Sequence, residues 1–240
     1  MIAQLTPLRL AWLAAVTLAT AAGCSQKPGP SDEALIRASF EQYKVAALQS
    51  DGSAVAPLLT EESLAHYDRL RNLALSGTEA EVDENRYVER MQVWMFRQLL
   101  SAEELGGMSS EQLVAYVFDK HMMGEDLEES SAIDSLQIKG ATATARHLTR
   151  GRPAGGPIRE VTFQWKKGSD DQWRLDLLHT VAVMELQFDD IHAMRADLPK
   201  DLLAEGIVQG FTKRELEPKH HQPMLVAASG SSAADRKPRE

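Results

Sequence analysis

The chain has 240 residues, 43% of them hydrophobic, with 35 acidic against 26 basic side chains and a formal net charge of −9. That balance argues against broad electrostatic binding to nucleic acid. The single cysteine excludes an intrachain disulfide scaffold and a zinc ribbon. The apolar content suffices for one core, so one domain with extended ends is the default at this length.

At the start, Leu10 to Ala22 read "LAWLAAVTLATAA", apolar except for two threonines. The run is too short to span a bilayer, which takes about 20 apolar residues, and it fits the h-region of a secretory signal. Two cleavage sites follow. Ala19-Thr20-Ala21 is an A-x-A site that would release a soluble periplasmic protein starting at Ala22. Ala21-Ala22-Gly23-Cys24 resembles a bacterial lipobox, with Ala21 where Leu is usual. An exported cysteine normally pairs; a lone one directly after Gly23 favours acylation. The resemblance implies residues 1–23 as signal peptide, a lipid anchor at Cys24, and, with Ser25 rather than aspartate next, an outer-membrane position facing the periplasm. Residues 24–31, rich in Pro and Gly, form the tether.

A folded domain over 32–211 is expected to begin with helices. Ser31 can cap a helix to about Gln49 with Leu35, Ile36, Phe40, Tyr43, Ala47 and Leu48 at helical spacing. Thr60 caps a second through about Leu75, Glu84 to Glu104 forms a third, and Ser109 with Gln112 makes a capping box for a fourth. Their Met and aromatic stripes are core. From about 132 to 183 the period changes to two, giving four strands with turns at "KG", "RGRPAGGP" and "KKGSDD". Amphipathic helices follow over Met184 to Leu198 and after Pro199. Residues 212–240, rich in Lys, Arg, Pro, Ser and Ala, read as a disordered tail.

The fold class is therefore α+β: N-terminal helices on a curved four-stranded antiparallel sheet, with a helical insertion at about 79–129 and C-terminal helices. The segment "LQIKGATATARHLTRG" with "IREVTFQWKKGSDDQWRLDLL", and the opening helix "EALIRASFEQYKVAALQSDGSAVAPLLT", resemble the nuclear transport factor 2-like superfamily. The resemblance covers about two thirds of the mature chain and implies a ligand cavity against the sheet. Its motifs mark fold, since the superfamily holds both enzymes and non-catalytic binding modules.

Pairing Trp165 with Trp173, Phe163 with Leu175 and Arg159 with His179 places an apolar face on the sheet, with Ala141, Ala143 and Ala145 leaving room on the second strand. His147 and His179 fall at one end of that face, about 10 Å apart by two strand spacings, too far to share a metal. With Arg159 between them they suit the rim of a site for an amphipathic anion. The expected ligand-binding residues are thus His147, Arg159, His179, Ala141, Ala143, Phe163 and Leu175. Asp176 points away from that face. Glu185, Asp189 and His192, at i, i+4 and i+7, share one helix face and carry donors that suit a divalent metal; a solvated polar face explains them equally well. No H-E-x-x-H, Walker loop, dinucleotide fingerprint or nucleophile elbow occurs, so no catalytic residue, cofactor or metal ligand is assigned.

These features support a non-catalytic envelope lipoprotein that binds a small amphipathic anion or a protein partner through the concave sheet face. The alternatives are an isomerase- or hydrolase-type enzyme using the same cavity with a histidine base, and a scaffold offering the 184–210 helices to an envelope complex. Intact mass measurement of membrane-extracted protein is expected to give residues 24 to 240 plus acyl chains, and Cys24→Ser to remove both acylation and membrane retention. An unacylated chain beginning at Ala22 would refute the anchor.

Overall fold

A computed structural model of the chain describes residues 29–122, 132–147 and 161–225, with the side chains of His147 and Val161 left aside. Cys24 and Arg159 lie outside the described residues. Contacts divide the chain at Pro30, and the fold is that of the part from Ser31 onward.

The protein is α+β. Helices α1 (Asp32–Leu48), α2 (Gly52–Val55), α3 (Glu61–Ser76), α4 (Glu79–Asp83), α5 (Tyr87–Leu99), α6 (Ala102–Gly107) and α7 (Ser110–Asp119) precede strands β1 (Ile133–Lys139), β2 (Thr142–His147), β3 (Val161–Lys167) and β4 (Trp173–Leu175). Helices α8 (Leu177–Met194) and α9 (Lys200–Thr212) follow. The sheet is antiparallel in the order β1-β2-β3-β4. Ser31, Thr60 and Ser109 start helices as the sequence predicts, and Thr78 and Ser101 do so too; each accepts a backbone N–H of the following turn.

The apolar sheet face exists, but α1 closes it. Ala143, Ala145, Phe163, Trp165 and Leu175 are all buried. Phe40 of α1 lies against the rings of Phe163 and Trp165, at centroid distances of 5.2 and 5.9 Å, and those two residues pair with Ala145 and Ala143. The small side chains on β2 thus make space for an aromatic ring of the protein itself. Close approach governs α2 as well. A Cβ on Gly52 would sit 2.1 Å from the Ala115 carbonyl oxygen of α7, so only glycine fits.

The span 84–104 read as one helix is broken, one helix ending at Leu99 and Ser101 capping the next, and three further features differ from the sequence reading. The β3–β4 register is shifted by two, Trp165 facing Leu175 and Lys167 facing Trp173. The tighter loop is closed by a bond from the Gly168 N–H to the Gln172 carbonyl and by Arg174 on Asp170. A shift of two keeps every side chain on its face. Second, β4 ends at Leu175, and what reads as continuing strand, Leu177 to Val183, is the start of α8. Third, residues 213–225 are not a disordered tail. After Lys213 turns the chain with φ 56°, Gln98 Nε2 donates to the Arg214 and Glu215 carbonyls, Arg214 donates back to the Gln98 carbonyl, and the Leu225 N–H reaches the Leu75 carbonyl at 2.7 Å.

The central helix α5 is buried almost all round, charged residues included. Arg97 is 6% exposed and donates to the carbonyls of Leu73, Ala74 and Gly77 at the end of α3 and to His221 in the C-terminal segment, at 2.6–3.0 Å. Burial pushes its pKa down to about 10, so it remains a cation at neutral pH and satisfies carbonyls that the end of a helix leaves open. Arg97→Met is expected to lower unfolding free energy by about 3 kcal/mol in urea titration, because buried acceptors lose their donor. The same change should speed proteolysis within 213–225.

Candidate functional site

The chain turns from sheet to helix at Asp176, and it is held there by the start of α3. The Thr60 N–H donates to the Leu175 carbonyl, the Leu177 N–H to Ser63 Oγ at 2.9 Å, and the Asp176 N–H to the Gln164 carbonyl. Asp176 Oδ1 accepts the Leu178 N–H and caps α8. Thr60, Ser63 and Asp176 are all buried. One turn after Ser63 stands His66, and one turn after Asp176 stands His179. Helix α5 comes alongside because Glu185 of α8 accepts the Tyr87 and Val88 N–H groups at its N-terminus.

These elements enclose a cavity of about 460 Å³, open to solvent, lined by His66 and the Arg86–Glu89 start of α5, by Gln164 of β3, and by Asp176, His179 and Val181 of α8. Its volume lies in the range of small-molecule sites. It sits behind the sheet, because Gln164 alternates with the buried Phe163 and Trp165.

The two carboxylates in the wall are already engaged. Glu89 Oε1 takes a short hydrogen bond from Arg69 Nη2, and Glu89 Oε2 accepts the Arg86 N–H at 3.2 Å. Asp176 Oδ2 lies 3.4 Å from Lys166 Nζ, which also meets Glu62 on the solvent side. The donors are less well matched. The His66 side chain is 7% exposed. Its Nδ1 lies 3.3 Å from Arg69 Nη2 and 3.6 Å from Glu89 Oε1. Arginine can only donate, so Nδ1 is the acceptor and the neutral ring carries its proton on Nε2. That Nε2 is buried with no hydrogen-bond partner, an arrangement that costs about 1–3 kcal/mol. Arg86 has no carboxylate within ion-pairing distance among the described residues.

Burial pushes the His66 pKa below its usual 6.5, Glu89 opposes the shift, and Arg69 and Arg86 deepen it. Burial also lowers His179, against the pull of Asp176. Both rings are neutral at pH 7.

Among the described residues expected to bind ligand, only His179 lines this cavity, and it does so from the first turn of α8 rather than from a strand end; Arg159 lies outside the described residues. Ala143, Phe163 and Leu175 belong to the packed core; Ala141 is exposed in the β1–β2 turn. His147 pairs with Val161 at the end of β2. The possible metal face on α8 is spoken for residue by residue: Glu185 caps α5, Asp189 pairs with Lys200 at 2.7 Å, and His192 Nε2 is 3.1 Å from the Leu198 carbonyl. Among the described residues no group of three or more His, Cys, Asp or Glu is arranged to hold a metal ion. His66, Arg86 and Glu89 were not singled out by sequence. A histidine beside the apolar stripe of α3 was the one local sign. No family model, curated protein or solved structure matches the chain.

The lowered histidines set a pH window. Because their folded pKa values lie below the unfolded one, their contribution is whole above about pH 6.5 and is lost as pH falls through the folded values. Carboxylates with lowered pKa, such as Asp32 and Glu62, add a second loss at more acid pH, below their ordinary values. Chemical denaturation at stepped pH should show a first decline beginning near 6.5, smaller in His66→Gln, while the more acid decline is unchanged. An identical first decline in His66→Gln would show that this ring does not drive it.

Proposed function

We propose that this is an exported, lipid-anchored envelope protein whose domain binds a small anionic ligand without transforming it. The reading takes Cys24 as the acylated residue, the outer membrane facing the periplasm as its location, and a nuclear transport factor 2-like sheet as its framework. The strand order and the laying of α1 across the alanine face support that framework.

The observation that carries the ligand reading is the buried, partnerless His66 Nε2 at the wall of a polar cavity. Both carboxylates in the wall are engaged, so a buried donor left unmatched on a residue that lines the cavity provides for an acceptor from outside. The same geometry favours binding over base catalysis. With Nδ1 accepting from Arg69, the free nitrogen bears a proton and donates; it has no lone pair with which to take a proton from a substrate.

Native mass spectrometry of protein extracted from membranes should show a bound mass that disappears on denaturation. Arg86→Gln and His66→Gln should each lose that mass while keeping the circular dichroism of the parent. Retention of the same mass in both variants would move the ligand to another site, and its absence from the parent would remove the support for a resident ligand.

A further inference from the structure

Resting on the reading just given, the charge arrangement in the cavity narrows the ligand to one chemical class. We infer that the cavity selects a singly charged carboxylate, held by the Arg86 guanidinium, with its acceptor oxygens or a neighbouring carbonyl or hydroxyl within reach of His66 Nε2–H. The formal charges around the cavity set this preference. Glu89 is matched by Arg69, and Asp176 shares Lys166 with the solvent-exposed Glu62 and is balanced further by the N-terminus of α8 that it caps. Among the charged residues lining the cavity, Arg86, whose side chain is exposed at the mouth, is the cation, and no described carboxylate lies within ion-pairing distance of it. One cation with no carboxylate in contact offers a place for one negative charge. A second would lie against Glu89 and Asp176 with nothing to balance it, and like charges brought together in a partly enclosed site repel strongly.

The donors also fit the shape of a carboxylate. Guanidinium offers two parallel N–H groups that match its two oxygens. His66 Nε2–H and the Gln164 amide stand on other walls of the same cavity, so an additional acceptor on the ligand would find a donor. A neutral analogue forfeits the charge-assisted bond to Arg86, and a dianion meets the two wall carboxylates. Specificity then comes from a mismatch imposed on the wrong ligands as much as from attraction to the right one.

The test uses three ring compounds of similar size that differ in charge: benzoate, benzamide and phthalate, with inorganic phosphate as a fourth probe. The folded chain is titrated near pH 7 while histidine side-chain nitrogen resonances are recorded. Benzoate is expected to shift His66 Nε2 and His179 and to bind about tenfold or more tightly than benzamide, phthalate or phosphate. Arg86→Gln is expected to bring benzoate down to the level of benzamide, and Arg86→Lys, which keeps the charge and loses the fork, to retain part of the preference. Equal binding of benzamide, or stronger binding of phthalate or phosphate, would overturn the carboxylate inference while leaving the cavity as a ligand site. Absence of any shift at His66 and His179 with all four probes would overturn the ligand-binding reading itself.

Discussion

The Ser63 hydroxyl that accepts the Leu177 N–H is the joint on which this architecture turns. It ties the first turn of α3 to the first turn of α8 at the point where the chain leaves the sheet. Beside it, Thr60 reaches the Leu175 carbonyl and Asp176 caps its own helix. Helix starts expose N–H groups that must find acceptors when buried, and here two starts are satisfied within one small cluster. Because His66 and His179 each lie one turn beyond that cluster, their convergence follows from the joint. Helix α5 is then placed by a third helix start, with Glu185 as acceptor.

Helix α5 is buried on nearly every side and is still rich in charge. Ordinary surface helices carry their charges on the wet face; α5 instead uses them as internal ties. Arg97 fastens the end of α3 to the C-terminal segment. Arg90 pairs with Asp83 and Asp201, its guanidinium lying over Tyr87 and Trp94. Glu89 joins Arg69 and borders the cavity. Buried ion pairs add little net stability because desolvation offsets attraction, but leaving one partner alone is costly, which restricts the packing to arrangements in which all are matched. Arg90 Nε, Gln98 Oε1 and Trp165 Nε1 are, like His66 Nε2, buried without a hydrogen-bond partner; His66 differs from them in lining the cavity.

The cavity behind the sheet and the filled face in front of it are two results of one packing choice. Alanines on β2 lower the height of that face, and Phe40 takes the space with ring contacts to Phe163 and Trp165. With the front sealed, open volume remains behind Gln164 among residues of α3, α5 and α8, and helix starts and charged α5 residues supply its polar walls.

Much of the local structure was legible in the residues alone. Ser31, Thr60 and Ser109 mark helix starts because a side-chain oxygen can satisfy an N–H that the helix cannot, and alternation around "KG" sets the faces of β1 and β2 because a strand's side chains repeat every two residues. The span of β4 was not legible: Leu177 to Val183 includes Thr180, Val181 and Val183, β-branched residues that also suit a strand, and it is Ser63, more than a hundred residues earlier, that stabilises a helix start there. The ordered segment 213–225 was hidden for a related reason, since its composition is polar and its order comes from Arg97 and Gln98 on a distant helix. The candidate site lay furthest from view. His66, Arg86, Asp176 and His179 have no shared spacing or motif, so the sequence by itself determined the elements and the faces they bury. Only the tertiary structure decided which polar groups meet, because that depends on how separate helix starts share hydrogen bonds across the fold.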